Sequence, residues 1–203
     1  MQIRAGLDLR FDLTNPRAVE FAQTRTATLV TNVLEDTKAV IREIIGRGFT
    51  EGRTTRQMAK EIRQVVGLTP RYATAVENLR AKLEAKGLDA DTIDAKAEKY
   101  SAKLLRLRSQ TIARTETIRA SNAGQQELWQ QAGDDGLIDV ETARQDWIVT
   151  PDDRLCPVCE AIPGMNENGV PLGGEFQTPD GPMTEPPAHP NCRCALALIP
   201  GTT

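Results

Sequence analysis

Ten of the chain's 12 prolines and all four of its cysteines lie beyond residue 150. Proline fixes φ and removes a backbone donor, so a segment this rich in it cannot be built from long helices or central strands. The first 150 residues carry only Pro16 and Pro70, each placed where a helix could begin. Charge divides the chain in a similar place. Residues 1–130 hold 22 Lys and Arg against 16 Asp and Glu, a net +6, whereas residues 131–203 hold 3 against 12, a net −9. The expected fold is mainly α: a helical body with a long helix over 1–130, then a small loop-rich α+β module over 131–203. Aromatic residues are 4% of the chain, which leaves little ring mass for a dense core.

The run Cys194–Ile199 is among the longest apolar stretches and has six residues, far short of the roughly 20 that span a bilayer. The first eight residues interleave charged and apolar side chains with no apolar h-region. A membrane protein and a Sec-exported protein are therefore not expected.

Helical spacing begins near Asn15–Pro16, with Asn15 as cap, and continues through Val30, Val33, Leu34, Val40, Ile41, Ile44 and Ile45. Gly46 and Gly48 read as its stop. At about 30 residues this helix is either broken or an extended bundle helix. A second helix opens with the capping box Thr54-x-x-Gln57, presents Met58, Ile62, Val65 and Val66, and ends at Gly67. A third opens at Thr69-Pro70, presents Tyr72, Ala73, Val76, Leu79 and Leu83, and closes at Gly87. From Asp91 to about Gln131 the pattern is helical again, with Gly124 a weak point. Arg106, Arg108, Arg114 and Arg119 on this last helix are candidates for a basic stripe touching DNA or a partner. They serve equally as a solvated face with pairs such as Glu116–Arg119.

In the C-terminal part, Gln145–Thr150 reads as a short strand followed by the turn Pro151-Asp152-Asp153, and Cys194–Ile199 as its partner in a β-hairpin. About 40 Gly- and Pro-rich residues separate the two, a stretch that needs a staple to be ordered. The staple expected is Cys156-Pro-Val-Cys159 with His189-Pro-Asn-Cys192-Arg-Cys194, which includes the only histidine. A Cys-x2-Cys turn aims two thiolates at one ion, and a second knuckle completes a tetrahedron. Four of Cys156, Cys159, His189, Cys192 and Cys194 would hold a structural zinc, which contributes on the order of 10 kcal/mol of apparent folding free energy. Two disulfides or reduced buried thiols are the alternatives. A thioredoxin-like role for the Cys-x2-Cys is disfavoured because no βαβ pattern surrounds it.

The order of these pieces is similar to that of a known family. A capped helical pair precedes Thr111-Ile-Ala-Arg-Thr-Glu-Thr117 with Asn122 and Gly124. Trp147, then Asp153-Arg154-x-Cys156-Pro-Val-Cys159, then Pro186-Pro-Ala-His-Pro-Asn-Cys-Arg-Cys194 follow. The stretch from Gly52 to Ile199 resembles the phage head morphogenesis family, the minor head proteins similar to protein F of phage Mu and the portal-associated minor protein of phage SPP1. The resemblance implies a non-enzymatic minor capsid protein in the virion. It would be associated with the portal protein and with the major capsid or scaffolding protein, and would assist head assembly, DNA packaging or DNA delivery. Packaged double-stranded DNA is a further candidate partner. The signature positions are Arg114, Glu116, Asn122, Gly124, Trp147, Asp153, the four cysteines and His189.

Two other classes compete. An HNH-type zinc nuclease uses a similar cysteine frame but needs a general-base histidine besides its metal ligands, and this chain has one histidine. A zinc-ribbon DNA-binding module predicts tight, salt-dependent duplex binding, which the −9 of the C-terminal part opposes.

Overall fold

The structure is a computed structural model that describes residues 16–25, 30 and 33–201. The proposed Asn15 cap and the N-terminal charge pattern lie outside the described residues. Among the described residues, six helices and three short strands follow in order. These are α1 (Pro16–Arg25), α2 (Glu35–Thr50), α3 (Thr55–Val65), α4 (Pro70–Glu84), α5 (Ala90–Asp134), β1 (Arg144–Ile148), α6 (Pro157–Met165), β2 (Val170–Pro171) and β3 (Ala195–Ile199). No described helix is long and apolar enough to cross a membrane.

The expected first helix is two helices. Val30 and Val33, which lie between them, are β-branched and poor helix formers. The break lets α1 pack against both α2 and α5. Gly46 and Gly48 are not the stop that the sequence suggested. Both are buried inside α2, where an added Cβ would run into Gln23 of α1 and the Met58 sulfur of α3 respectively. They are close-approach glycines. The stop comes at Gly52 (φ +63), where Arg53 N–H reaches the Gly48 carbonyl at 2.8 Å and Gly52 N–H the Phe49 carbonyl at 3.2 Å.

The next two caps form as their side-chain chemistry dictates. Thr54 Oγ1 accepts from Gln57 N–H at 3.3 Å, and Gln57 Oε1 accepts from Thr54 N–H at 2.8 Å. Thr69 accepts from Tyr72 N–H at 3.2 Å ahead of Pro70 in the first turn. Asp89 then caps α5 through Thr92 N–H at 2.8 Å. The 45 residues of α5 give it a length of about 67 Å.

Three apolar clusters lie along this rod. Val76, Ala97 and Leu104 join α4 to its N-terminal part. Ile41, Ile45, Phe49, Met58 and Ile62 of α2 and α3 pack against Ile112, Ala113 and Ala120 at its centre. Trp129 near its C-terminus belongs to the third cluster, with Trp147, Ile162, Phe176 and Leu196. The helix therefore runs across residue 130 without interruption and carries the C-terminal module along its C-terminal half, from Thr111 to Trp129.

The module's sheet has the order β2-β1-β3. β1 and β3 pair antiparallel as expected, with Trp147 opposite Leu196, but the 46 residues between them supply a third strand on the other edge of β1. Gln145 and Trp147 of β1 point inward, and Trp147 meets Phe176 edge-on at 5.3 Å between ring centroids.

Candidate metal centre

The first cysteine knuckle forms at the start of α6, a helix that the sequence reading did not anticipate. Cys156 is its N-cap: Sγ accepts from Cys159 N–H at 3.4 Å, and Pro157 occupies the first turn. The cap geometry turns Cys156 and Cys159 toward the same point. Its signal was present in Cys156-Pro157, a cap followed by proline, but Pro163 and Gly164 obscured the helix.

The second knuckle is a turn at residues 189–194 held from outside. Cys192 N–H donates to the His189 carbonyl at 3.1 Å, and Asn191 takes a left-handed conformation, φ +62. Two hydroxyls of α5 fix that residue. Asn191 N–H donates to Thr115 Oγ1 at 3.0 Å, and Asn191 Nδ2 donates to Thr111 Oγ1 at 3.1 Å. His189 Nδ1 lies 2.9 Å from the Pro190 carbonyl, which can only accept. Nδ1 therefore donates to that carbonyl, and Nε2 faces the sulfurs, where its lone pair would serve a metal.

His189 Nε2 is 3.1 Å from both Cys156 Sγ and Cys159 Sγ, and Cys159 Sγ is 3.7 Å from Cys192 Sγ. Tetrahedral zinc with bonds near 2.3 Å to sulfur requires sulfur–sulfur edges of about 3.8 Å. The ligand atoms of Cys156, Cys159 and His189 lie within 4.8 Å of one another, as do those of Cys159, Cys192 and Cys194. Cys159 belongs to both triads, so the five side chains converge on one place. The cavity they line, about 30 Å³, has room for one ion. No carboxylate lines it, and a sulfur and imidazole donor set suits zinc over magnesium or calcium. The residues fit a metal.

Electrostatics agree with this chemistry. Burial pushes the Cys159 thiol up to about 12, while a hydrogen bond from Cys194 outweighs burial and brings Cys192 down to about 5. The hydrogen bond to Cys192, then burial, drive Cys194 far above an ordinary thiol. At Cys156 burial is outweighed by the Cys159 amide and by Cys159 and His189, so its pKa falls. Burial opposes charge on His189, but the Pro190 carbonyl and the adjacent sulfurs outweigh it and raise its pKa. Four sulfurs this close cannot all ionise without a cation among them.

The other positions singled out by sequence divide clearly. Asn122 is buried and bridges α5 to the module: Oδ1 accepts from Leu196 N–H at 3.0 Å, and Nδ2 reaches the Ile118 carbonyl at 2.9 Å and the Cys194 carbonyl at 3.4 Å. Gly124 is buried within α5, and Glu116 is fully buried on it. Asp153 is exposed. Its neighbour Asp152 makes the contacts, accepting from both terminal nitrogens of Arg193 at 2.6 Å and from Arg154 at 3.1 Å. The four arginines do not share an exposed stripe. Arg106 and Arg114 are exposed and Arg119 is half-buried. Arg108 is buried, donates to the Gly67 carbonyl at 2.5 Å, and has its pKa lowered by burial.

Sequence reasoning assigned no role to Thr111, Thr115 or Gln126. Gln126 Nε2 donates to Gln145 Oε1 at 3.0 Å and to the Thr184 carbonyl at 2.9 Å. Positions 111, 115, 122 and 126 follow i, i+4, i+11, i+15, so they form one polar seam along α5. That spacing was the available signal.

Neither a curated protein nor a solved structure matches the chain. The family described as Phage Mu protein F like protein matches residues 39–197, from α2 into β3 and across both knuckles and the polar seam. Its range includes most of α2, beyond the Gly52 limit at which the resemblance in sequence began. The chain belongs to the Phage Mu protein F like family, which places it among phage head morphogenesis proteins.

Proposed function

We propose that the protein is a structural minor head component that docks at the portal vertex of a tailed phage. There it contacts portal and capsid or scaffolding protein and assists assembly, packaging or delivery of DNA. The observation that carries this reading is the continuity of α5, which joins a helical bundle and a cysteine module into one rod suited to bridging two partners. Family membership supports the head assignment, and the absence of any long apolar helix among the described residues fits a non-membrane location.

The module's role in this reading is structural. Cys156, Cys159, His189 and Cys192 would hold one zinc ion, and the buried Cys194 thiol would stand behind Cys192. Bound there, the ion would supply a cross-link between the start of α6 and the 189–194 turn. Four protein ligands close the coordination sphere, whereas catalytic zinc keeps a position open. His189, with its Nε2 aimed at the sulfurs, is unavailable as the general base of an HNH-type nuclease. Co-sedimentation tests the proposal. The protein should travel with procapsids and bind isolated portal rings, and absence from both virions and procapsids would overturn it.

A further inference from the structure

A groove of about 520 Å³ lies between α3 and the N-terminal half of α5, walled by Arg63, Lys96, Lys99, Tyr100, Lys103 and Arg106. No carboxylate lines it, and among the described residues none of its five cations is in an ion pair. Lys96, Lys99, Lys103 and Arg106 are exposed and recur at i, i+3, i+7 and i+10, so they share one face of α5. The acids of the same stretch, Asp94 and Glu98, project about 160° around the helix from Lys96. Leu107 lies on the basic face, one turn beyond Lys103, and is 42% exposed. Tyr100, Leu107 and the lysine stems thus give a cationic face an apolar floor.

The other end of the same helix carries the complement. No Lys or Arg occurs between Arg119 and Arg144. Asp134, Asp135, Asp139 and Glu141 are all exposed, and none is in an ion pair among the described residues. Leu137 and Val140 stand among them, 53% and 43% exposed. Backbone bonds hold this turn in shape: Leu137 N–H donates to the Ala132 carbonyl and Ala143 N–H to the Asp139 carbonyl, both at 2.8 Å. The Asp139 carboxylate accepts from Glu141 N–H at 3.0 Å and from Thr142 Oγ1 at 2.8 Å. Asp134 and Asp135 also close α5, whose last turn has no basic residue. Negative charge there opposes the helix dipole, and a cation from outside relieves it.

We propose that the acidic turn 134–141 of one copy docks in the basic groove of a second copy of this chain. The pairing cannot form within one chain, because Arg106 and Asp134 lie about 42 Å apart along one continuous helix. Between copies it has the make-up of a specific interface. Leu137 and Val140 meet Tyr100, Leu107 and the lysine stems at the centre, and opposite charges surround them. Each surface alone repels itself, and the contact relieves both at once. Every copy carries both surfaces at the same spacing, so two antiparallel copies can make the contact twice. The inference rests on charge placement and exposed apolar groups, and requires neither the portal reading nor a metal.

Analytical ultracentrifugation of the full chain tests it over a series of protein and NaCl concentrations. The average mass should rise above that of the monomer with protein concentration at about 50 mM NaCl. It should fall back at about 500 mM, where charges reach only a few ångströms. Lys99→Glu with Lys103→Glu should weaken self-association at least about tenfold, and so should Asp134→Lys with Asp135→Lys. Mixed together, these two variants should associate again, because each now presents the charge that the other lacks. Arg71→Glu with Lys82→Glu, on exposed positions of α4, makes the same change in net charge as the groove pair and should shift association less than about threefold. Unchanged helix content by circular dichroism shows that each variant folds. A wild-type chain that stays monomeric at low salt, equal losses in the groove and α4 pairs, or no association in the mixture would each overturn the proposal. A monomeric chain whose groove captures polyglutamate would assign the groove to another acidic partner and overturn it as well. Incorporation into heads is scored separately, so the failure of one conclusion does not carry the other.

Discussion

Asn191 holds a left-handed backbone conformation between His189 and Cys192, and asparagine tolerates it better than any residue except glycine. Thr115 and Thr111 secure both its amide and its side chain, so the ligand turn is positioned by α5 and not by the loop itself. Thr115→Val keeps the shape, removes the acceptor, and should cost about 1 kcal/mol in urea denaturation together with roughly tenfold in metal affinity. Asn122→Ala removes partners from a buried amide and a buried carbonyl at once, and should cost about 2–3 kcal/mol by the same measurement. For the ligands themselves, elemental analysis should find well under one equivalent of metal in Cys156→Ser and Cys192→Ser. Cys194→Ser should keep close to one equivalent, and its loss of metal would move Cys194 into the ligand set.

Among the elements, α2 and α3 illustrate how close approach is built in. Gly48 leaves room for Met58, so Gly48→Ala should overpack that contact and cost about 1–3 kcal/mol in thermal or urea unfolding. Adding Met58→Ala should recover part of the loss, which a glycine acting only as a helix stop would not show. The sequence reveals α3 and α4 well because their caps are local chemistry: Thr54 and Thr69 act on amides three residues away, whereas the Asp89 cap of α5 lies two residues ahead of the Asp91 start expected for that helix. It misreads Gly46 and Gly48 because a buried contact to another helix leaves the same mark as a terminator. It misses α6 because Pro163 and Gly164 break the usual pattern, although Cys156 caps the helix with its own sulfur. The β1–β3 pairing is visible in the strand residues, whereas β2 is two residues long and exists only through its partner. The five candidate ligands are legible from their spacing alone, and their support by Thr111, Thr115 and Asn122 is not, since it crosses more than 70 residues of chain.

The described residues form a rod with three apolar clusters, and the proposed zinc site bears on only one of them. The central bundle buries Ile41, Ile45, Met58 and Ile62 and contains none of the candidate metal ligands. The module from 150 to 199 has a small core around Trp147 and Phe176, with long loops whose order the proposed zinc cross-link would secure. Hydrogen–deuterium exchange of the wild-type chain, before and after metal is stripped by a chelator, addresses that dependence most directly. Amides of residues 150–199 should lose protection on stripping while those of α2, α3 and the centre of α5 keep theirs. Identical protection of 150–199 with no metal bound would contradict the account.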